Sequence, residues 1–276
     1  MKASTAIGIA VAIFGIMAAS FIEGSNPITL LLNKSAMAAM CLVFVGTAGV
    51  TIGAVGMDRF KSIPRLYKRA FSAEPQVLVA RVHELSGLAD VARRDGLLAL
   101  EGRLEDIGDD FTRKGLQLVV DGTDPKTTRE VMEAEIDAMA ARHRAGIEIF
   151  KQAGGFAPTL GVIGTCIGLV HVLGNLSQPE TLGPLIAGAF IATLLGVGSA
   201  NVVYLPVAAR LKALSEEEQE ERGMVVEGVI ALQAGENPRA ITERLLAFVP
   251  PAERATEPAP TPAAAGAAPL GDPVPA

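Results

Sequence analysis

Tryptophan is absent from this 276-residue chain, and aromatic residues of all kinds make up 4% of it. Cysteine occurs twice, at Cys41 and Cys166, too few for a disulfide framework. The three histidines, His83, His143 and His171, show no metal-ligand spacing. His83 and His143 read as surface residues of amphipathic helices. No phosphate-binding fingerprint exists either. "GGFAPTLG" at 154–161 is glycine-rich, but no Lys-Ser/Thr follows it and it opens an apolar run. Nothing here supports an enzyme or a resident cofactor.

The most informative absence is that of charge. Residues 3–22, 35–57, 152–177 and 181–209 contain no Asp, Glu, Lys or Arg. Each run meets or exceeds the ~20 apolar residues that cross a bilayer as a helix. The fold class expected is all-α: a polytopic membrane protein with four transmembrane helices and a helical cytoplasmic domain. The first run ends in small residues, Ala18-Ala19-Ser20, as a signal peptide would. It exceeds the usual apolar core of about 7–15 residues, so a retained span is expected.

Where charge returns, it sets orientation. "MDRFKSIPRLYKR" after the second run carries Arg59, Lys61, Arg65, Lys68 and Arg69 against Asp58 alone, and Arg210 and Lys212 follow the fourth. The loops at 24–33 and 178–180 are almost without basic residues. Positive-inside logic puts 58–151 and the C-terminal segment in the cytoplasm, with both termini inside an inner-membrane protein. The net charge of −6, densest at "SEEEQEE", argues against nucleic acid as a partner.

The chain then divides into 1–57 (spans one and two), 58–151 (cytoplasmic helices), 152–209 (spans three and four), 210–249 (C-terminal helices) and 250–276, a Pro/Ala-rich tail expected to be disordered. The insert reads as amphipathic helix, with Val77, Val79, Val82, Leu85, Leu88, Val91, Leu97, Leu98 and Leu100 near helical spacing and a turn at Gly122–Pro125.

Spans three and four hold the candidate site. Gly161, Gly164, Thr165, Gly168, His171 and Asn175 share one broad helix face, and Ala189, Thr193, Gly196 and Ala200 repeat the pattern. Small residues permit the close backbone approach that drives helix association in lipid. With a turn near residue 179, Thr165 and Thr193 lie at one depth, as two hydroxyls bonded to carbonyls or lining a polar path. Pro158 and Pro206 sit toward the cytoplasmic ends. Pro206 lacks the N–H for one helix hydrogen bond and clashes with the carbonyl of Val202, so a kink is expected. No span contains a carboxylate, although an ion pathway in lipid normally needs an ionisable group. A titrating group would have to come from another chain.

"APTLGVIGTCIGLVHVLGNLSQPETLGPLIAGAFIATLLGVGSANVVYLPVAARLK" resembles the transmembrane signature of the MotA/PomA flagellar stator proteins. "ARRDGLLALE", "LVVDGTD" and "VIALQAGENPR" resemble that family's cytoplasmic motifs, in the same order. The resemblance runs from about residue 4 to 249. It implies five copies around a two-chain MotB-type partner that supplies the ion-binding aspartate. It also implies rotor contact with FliG through Arg93 and Glu101, with Arg94 beside them. Pro158 and Pro206 would couple ion passage to movement, and Thr165 and Thr193 would be pathway hydroxyls. Arg93 and Glu101, eight residues apart, fall on roughly one face of a helix, a pattern that also suits a solvated surface. Sodium-type members are similar here in having hydroxyls at both threonine positions, while many proton-type members have alanine at the first; the driving cation, H+ or Na+, stays open. An ExbB/TolQ-type energising subunit, or a non-conducting scaffold or receptor, is the alternative.

Since no span holds a carboxylate, liposomes containing this chain alone should be tight to protons and sodium. Fluorescent flux assays check this, and flux above that of protein-free liposomes refutes it.

Overall fold

A computed structural model describes residues 4–24, 34–72 and 78–254, and every described element is helical. The Pro/Ala-rich tail from residue 255 onward and most of the 24–33 loop lie outside the described residues. Helix α1 (Ser4–Ile22) is the first span. The second is α2 (Lys34–Met40), a wide π turn (Cys41–Val45) and α3 (Gly46–Val55). Gly56, at φ 86°, then turns the chain into α4 (Met57–Phe60) and α5 (Ile63–Ser72). Next come α6 (Leu78–Asp95), a 3-10 segment (Leu97–Asp106) and α7 (Asp110–Val120). Helix α8 (Pro125–Leu173) carries the third span, and α9 (Pro179–Ser199) the fourth. A second π turn (Ala200–Tyr204) leads to α10 (Leu205–Gln233), α11 (Pro238–Leu246) and α12 (Pro251–Arg254).

The chain forms two compact units, residues 1–76 with 129–223, and 77–128 with 224–276. In the second, local chemistry places each helix end. Asp109 caps α7 by accepting the backbone N–H of Thr112 at 2.8 Å. Gly122 ends it: the Thr123 N–H reaches back to the Leu118 carbonyl, a left-handed cap that suits glycine at φ 74°. Asp124 and Asn237 then cap α8 and α11, each followed by a proline whose missing N–H costs nothing in the first turn. The core holds Val82, Leu85, Leu104, Phe111, Leu116, Met224, Val229, Leu232, Ile241 and Leu245. At Gly228 a Cβ would meet Leu85 Cδ1 at 2.8 Å, so the glycine lets α10 approach α6.

In the first unit, α5 presents Ile63, Leu66, Tyr67, Ala70 and Phe71 to a cluster of Ile147, Phe150, Val207, Ala208 and Leu211. Tyr67 meets Phe150 edge-on at 5.0 Å, a favoured aromatic geometry. Its opposite face carries Arg65, Lys68 and Arg69, all exposed.

His143 differs from its expected surface position. It is half-buried on α8, with Nδ1 3.1 Å from the hydroxyl of buried Ser215. Burial lowers its pKa below 6.5, reinforced by Arg69, Arg142 and Arg222 and opposed by Glu218. The folded pKa is therefore below the unfolded one. The neutral ring's contribution is full above pH ~6.5 and is lost as pH falls through the folded value. The thermal midpoint of the detergent-solubilised protein should decline below pH ~6.5, and His143→Gln should flatten that decline. Parallel pH profiles for the two proteins would disprove the assignment.

Candidate functional site

Four close contacts define the hairpin of spans three and four. A Cβ at Gly168 would fall 2.6 Å from that of Ala189; one at Gly164 would fall 2.7 Å from that of Ala192. A Cβ at Gly161 would lie 2.8 Å from the Ala192 carbonyl oxygen, and one at Gly196 2.5 Å from that of Ala157. No real side chain tolerates such distances, so glycine at these four positions lets the two backbones touch. The contacts step in opposite directions along the two helices, which are antiparallel. They bring Leu173 level with about Pro184, and the loop occupies 174–178. The paired positions are centred on residues 178–179, in agreement with a turn near residue 179 and with Thr165 and Thr193 at one depth.

Thr165 and Thr193 face each other across this contact, and their hydroxyls are hydrogen-bonded. Thr165 Oγ1 also lies 3.0 Å from the Ala189 carbonyl and 3.1 Å from that of Gly161, its own helix's i−4 acceptor. Thr193 Oγ1 is 3.5 Å from the same Gly161 carbonyl. Each hydroxyl has one proton and two lone pairs. Two protons shared among two carbonyls and each other leave hydroxyl lone pairs uncommitted, so the pair can offer neutral oxygen to a cation. Both side chains are half-buried. A cleft of about 300 Å³ is lined by Leu42, Gly164, Gly168, His171 and Ala189 among others, and neither threonine is part of its wall. Leu42 enters it from the π turn of the second span. Among the described residues no group of His, Cys, Asp and Glu could hold a metal.

The two prolines behave differently. Pro158 lies inside α8 without ending it. Pro206 follows the π turn, where the Leu205 N–H bonds to the Ala200 carbonyl five residues back instead of four. Widening the helix just ahead of the proline accommodates its ring and its missing donor, and the helix continues on both sides.

In the second unit, Arg93 and Glu101 do not share a helix. Gly96, at φ 87°, ends α6, and Glu101 belongs to the 3-10 segment. The expectation of one helical face is therefore corrected, since the glycine takes a backbone conformation no helix continues through. Both side chains are exposed, and among the described residues neither makes an ion pair. Arg94 does: it holds Asp90 at 3.0 Å, one turn back on α6. Glu101 borders a cleft with Leu104, Glu105, Arg113 and Gln117.

Thr47 and Thr51 escaped the sequence reading. One turn apart on α3, both are fully buried, and their hydroxyls have no hydrogen-bond partner. Two threonines at i and i+4 in an apolar run were the available signal.

Residues 103–224 match the model of the MotA/TolQ/ExbB proton channel family. The chain is 38% identical over 218 residues to motility protein A of Bacillus subtilis, spanning 79% of this chain and 81% of that protein. It is 34% identical over 222 residues to the chemotaxis protein PomA of Vibrio alginolyticus, spanning 79% and 86%. The chain belongs to the motility protein A family. Its fold agrees: it aligns with a chain of the flagellar MotAB stator complex from Bacillus subtilis at TM-score 0.84 and 35% identity, covering 91% of this chain and 97% of that one.

In this MotA-family hairpin the close contact separates two kinds of glycine. Gly196→Ala should destabilise by about 1–3 kcal/mol, because a backbone carbonyl cannot move aside for the new methyl. At Gly198 a Cβ meets nothing within 4 Å, so Gly198→Ala should be neutral or stabilising by up to ~1 kcal/mol. Thermal unfolding of both variants tests this, and equal effects would contradict the contact.

Proposed function

We propose that this chain is the membrane subunit of a flagellar stator, which couples inward cation flow to torque on a rotor. The observation that carries the reading is the hydroxyl pair. Thr165 and Thr193 supply oxygen at one level of two apolar runs, 152–177 and 181–209, that hold no carboxylate, in a chain that aligns over nearly all its length with a stator subunit. The missing titrating group is then an aspartate on a MotB-type partner, two copies of which stand within a ring of five copies of this chain. Both termini are cytoplasmic, by the basic residues that follow spans two and four. Arg93 and Glu101 offer unpaired charges to FliG. Arg94, committed to Asp90, contributes less. Pro206 and its π turn form the hinge that carries movement out of the membrane, with Pro158 on the third span.

A sodium ion that sheds water needs oxygen ligands, whereas a proton passing to a partner carboxylate needs only a water chain. The paired hydroxyls favour sodium on that ground. Thr165→Ala and Thr165→Val both remove the oxygen, and valine keeps the volume. A hydrogen bond between membrane helices is worth ~0.6 kcal/mol on average, so assembly should survive. Sodium-dependent rotation of tethered cells should fall sharply in both variants. Rotation at wild-type speed across a range of sodium concentrations would leave Thr165 a packing residue only.

Reversing Arg93 or Glu101 should impair motility while assembly persists. Each exposed contact is worth roughly 0–1 kcal/mol, so single alanines should do little and paired changes more. Motility on soft agar measures the effect. Loss of assembly in a charge-reversal variant would remove the rotor-specific role.

A further inference from the structure

The first span stands at the margin of its unit. Within Thr5–Ile22 no residue is buried, and its main packing is against the π turn at Ala200–Tyr204 and against α5. Two clefts open along this seam and meet at Val202, which lines both. One, of about 340 Å³, is walled by Ile13, Met17, Phe44, Leu194 and Val203. Its two hydroxyls, Ser20 and Ser199, are turned back onto carbonyls of their own helices. The other, of about 480 Å³, lies toward the span ends where Thr5, Asn201 and Arg210 supply polar groups. A hydrocarbon-lined cleft that leads to a guanidinium has the order of a phospholipid: acyl chain first, then phosphate.

Charge supports an anionic occupant. The Arg210 side chain is 14% exposed, and its ion pair with Glu217 is long, at 3.4 Å. A guanidinium carries five donors in a fork suited to phosphate, so one such contact leaves most of them for a ligand. On α5, Arg65 and Lys68 are exposed and make no ion pair among the described residues. The apolar face of α5 packs with Ile9, which also lines the polar cleft. Basic groups at a membrane edge concentrate anionic lipid.

We propose that an anionic glycerophospholipid binds between the first and fourth spans, one acyl chain in the cleft beside Phe44 and its phosphate at Arg210. The lipid lies against the π turn ahead of Pro206. A consequence for movement rests on the hinge role given above; the binding does not.

The test uses the full chain in the assembly it forms on expression, purified in mild detergent. It is titrated with phosphatidylglycerol or phosphatidylcholine, and bound lipid is read by native mass spectrometry. Phosphatidylglycerol should be retained in preference. Arg210→Gln should cut that preference roughly fivefold, the factor that corresponds to the ~1 kcal/mol of one cation at an anionic surface. Gly198→Leu, which projects into open space beside the acyl cleft, and Ile13→Trp should each remove retention of both lipids. The mass of the assembly in the same spectra shows which variants have folded. Unchanged retention in a folded cleft-filling variant overturns the site, and equal binding of the two lipids by wild type overturns the head-group assignment. Cysteine cross-linking from position 198 to a second copy of the chain would place protein in the cleft and overturn the proposal. Retention is read without ion flow, so its failure is distinguishable from failure of the stator reading.

Discussion

The backbone of the third span touches the backbone of the fourth, and the rest of the membrane unit is arranged around that contact. Apolar side chains gain little by leaving lipid for one another, so helices there associate through close packing and hydrogen bonds. Glycine at 161, 164, 168 and 196 supplies the first. The paired hydroxyls of Thr165 and Thr193 supply the second. The same closeness that removes side chains leaves these two oxygens facing one another in an apolar surrounding. Packing and chemistry here have one cause.

A tight hairpin must still pass motion to the parts outside the membrane if it is to drive a rotor. The π turn before Pro206 suits this: it is a widened turn whose hydrogen bonds skip one residue further than an α-helix requires. A proline directly after it cannot restore the regular ladder. Helix α5 packs Tyr67 on Phe150 and reaches Val207 and Ala208 just beyond Pro206. A displacement of this turn would therefore meet a dense aromatic and aliphatic cluster, which transmits strain better than a loose one.

Much of the fold is legible in the residues themselves, for reasons that differ by element. The four spans are readable because charge is so costly in lipid that a run of some twenty residues without it marks a membrane crossing. The turns at Gly122 and Pro125 are readable because their geometry depends on one or two residues. The helix from Leu78 is legible up to Asp95 but not beyond. Leu97 and Leu100 keep the helical period, and only the φ of Gly96 breaks it. A glycine is tolerated inside many helices, so its presence does not decide the matter. His143 has the local pattern of a surface residue because nothing near it in sequence places Ser215 opposite it, seventy-two positions away.

Composition and spacing by themselves determined the all-helical class, the number of spans, the small-residue faces and the lack of a carboxylate in the membrane, since each follows from local propensity or from the cost of burying charge. Tertiary structure alone decided which atoms the faces meet. It set Thr165 against Thr193, Leu42 against Gly164, Arg94 against Asp90 while Arg93 stayed unpaired, and two clefts end to end beside the first span. The physical reason is that a helix face names its residues but not its partner. The partner is settled only when several helices compete for the same few ångströms.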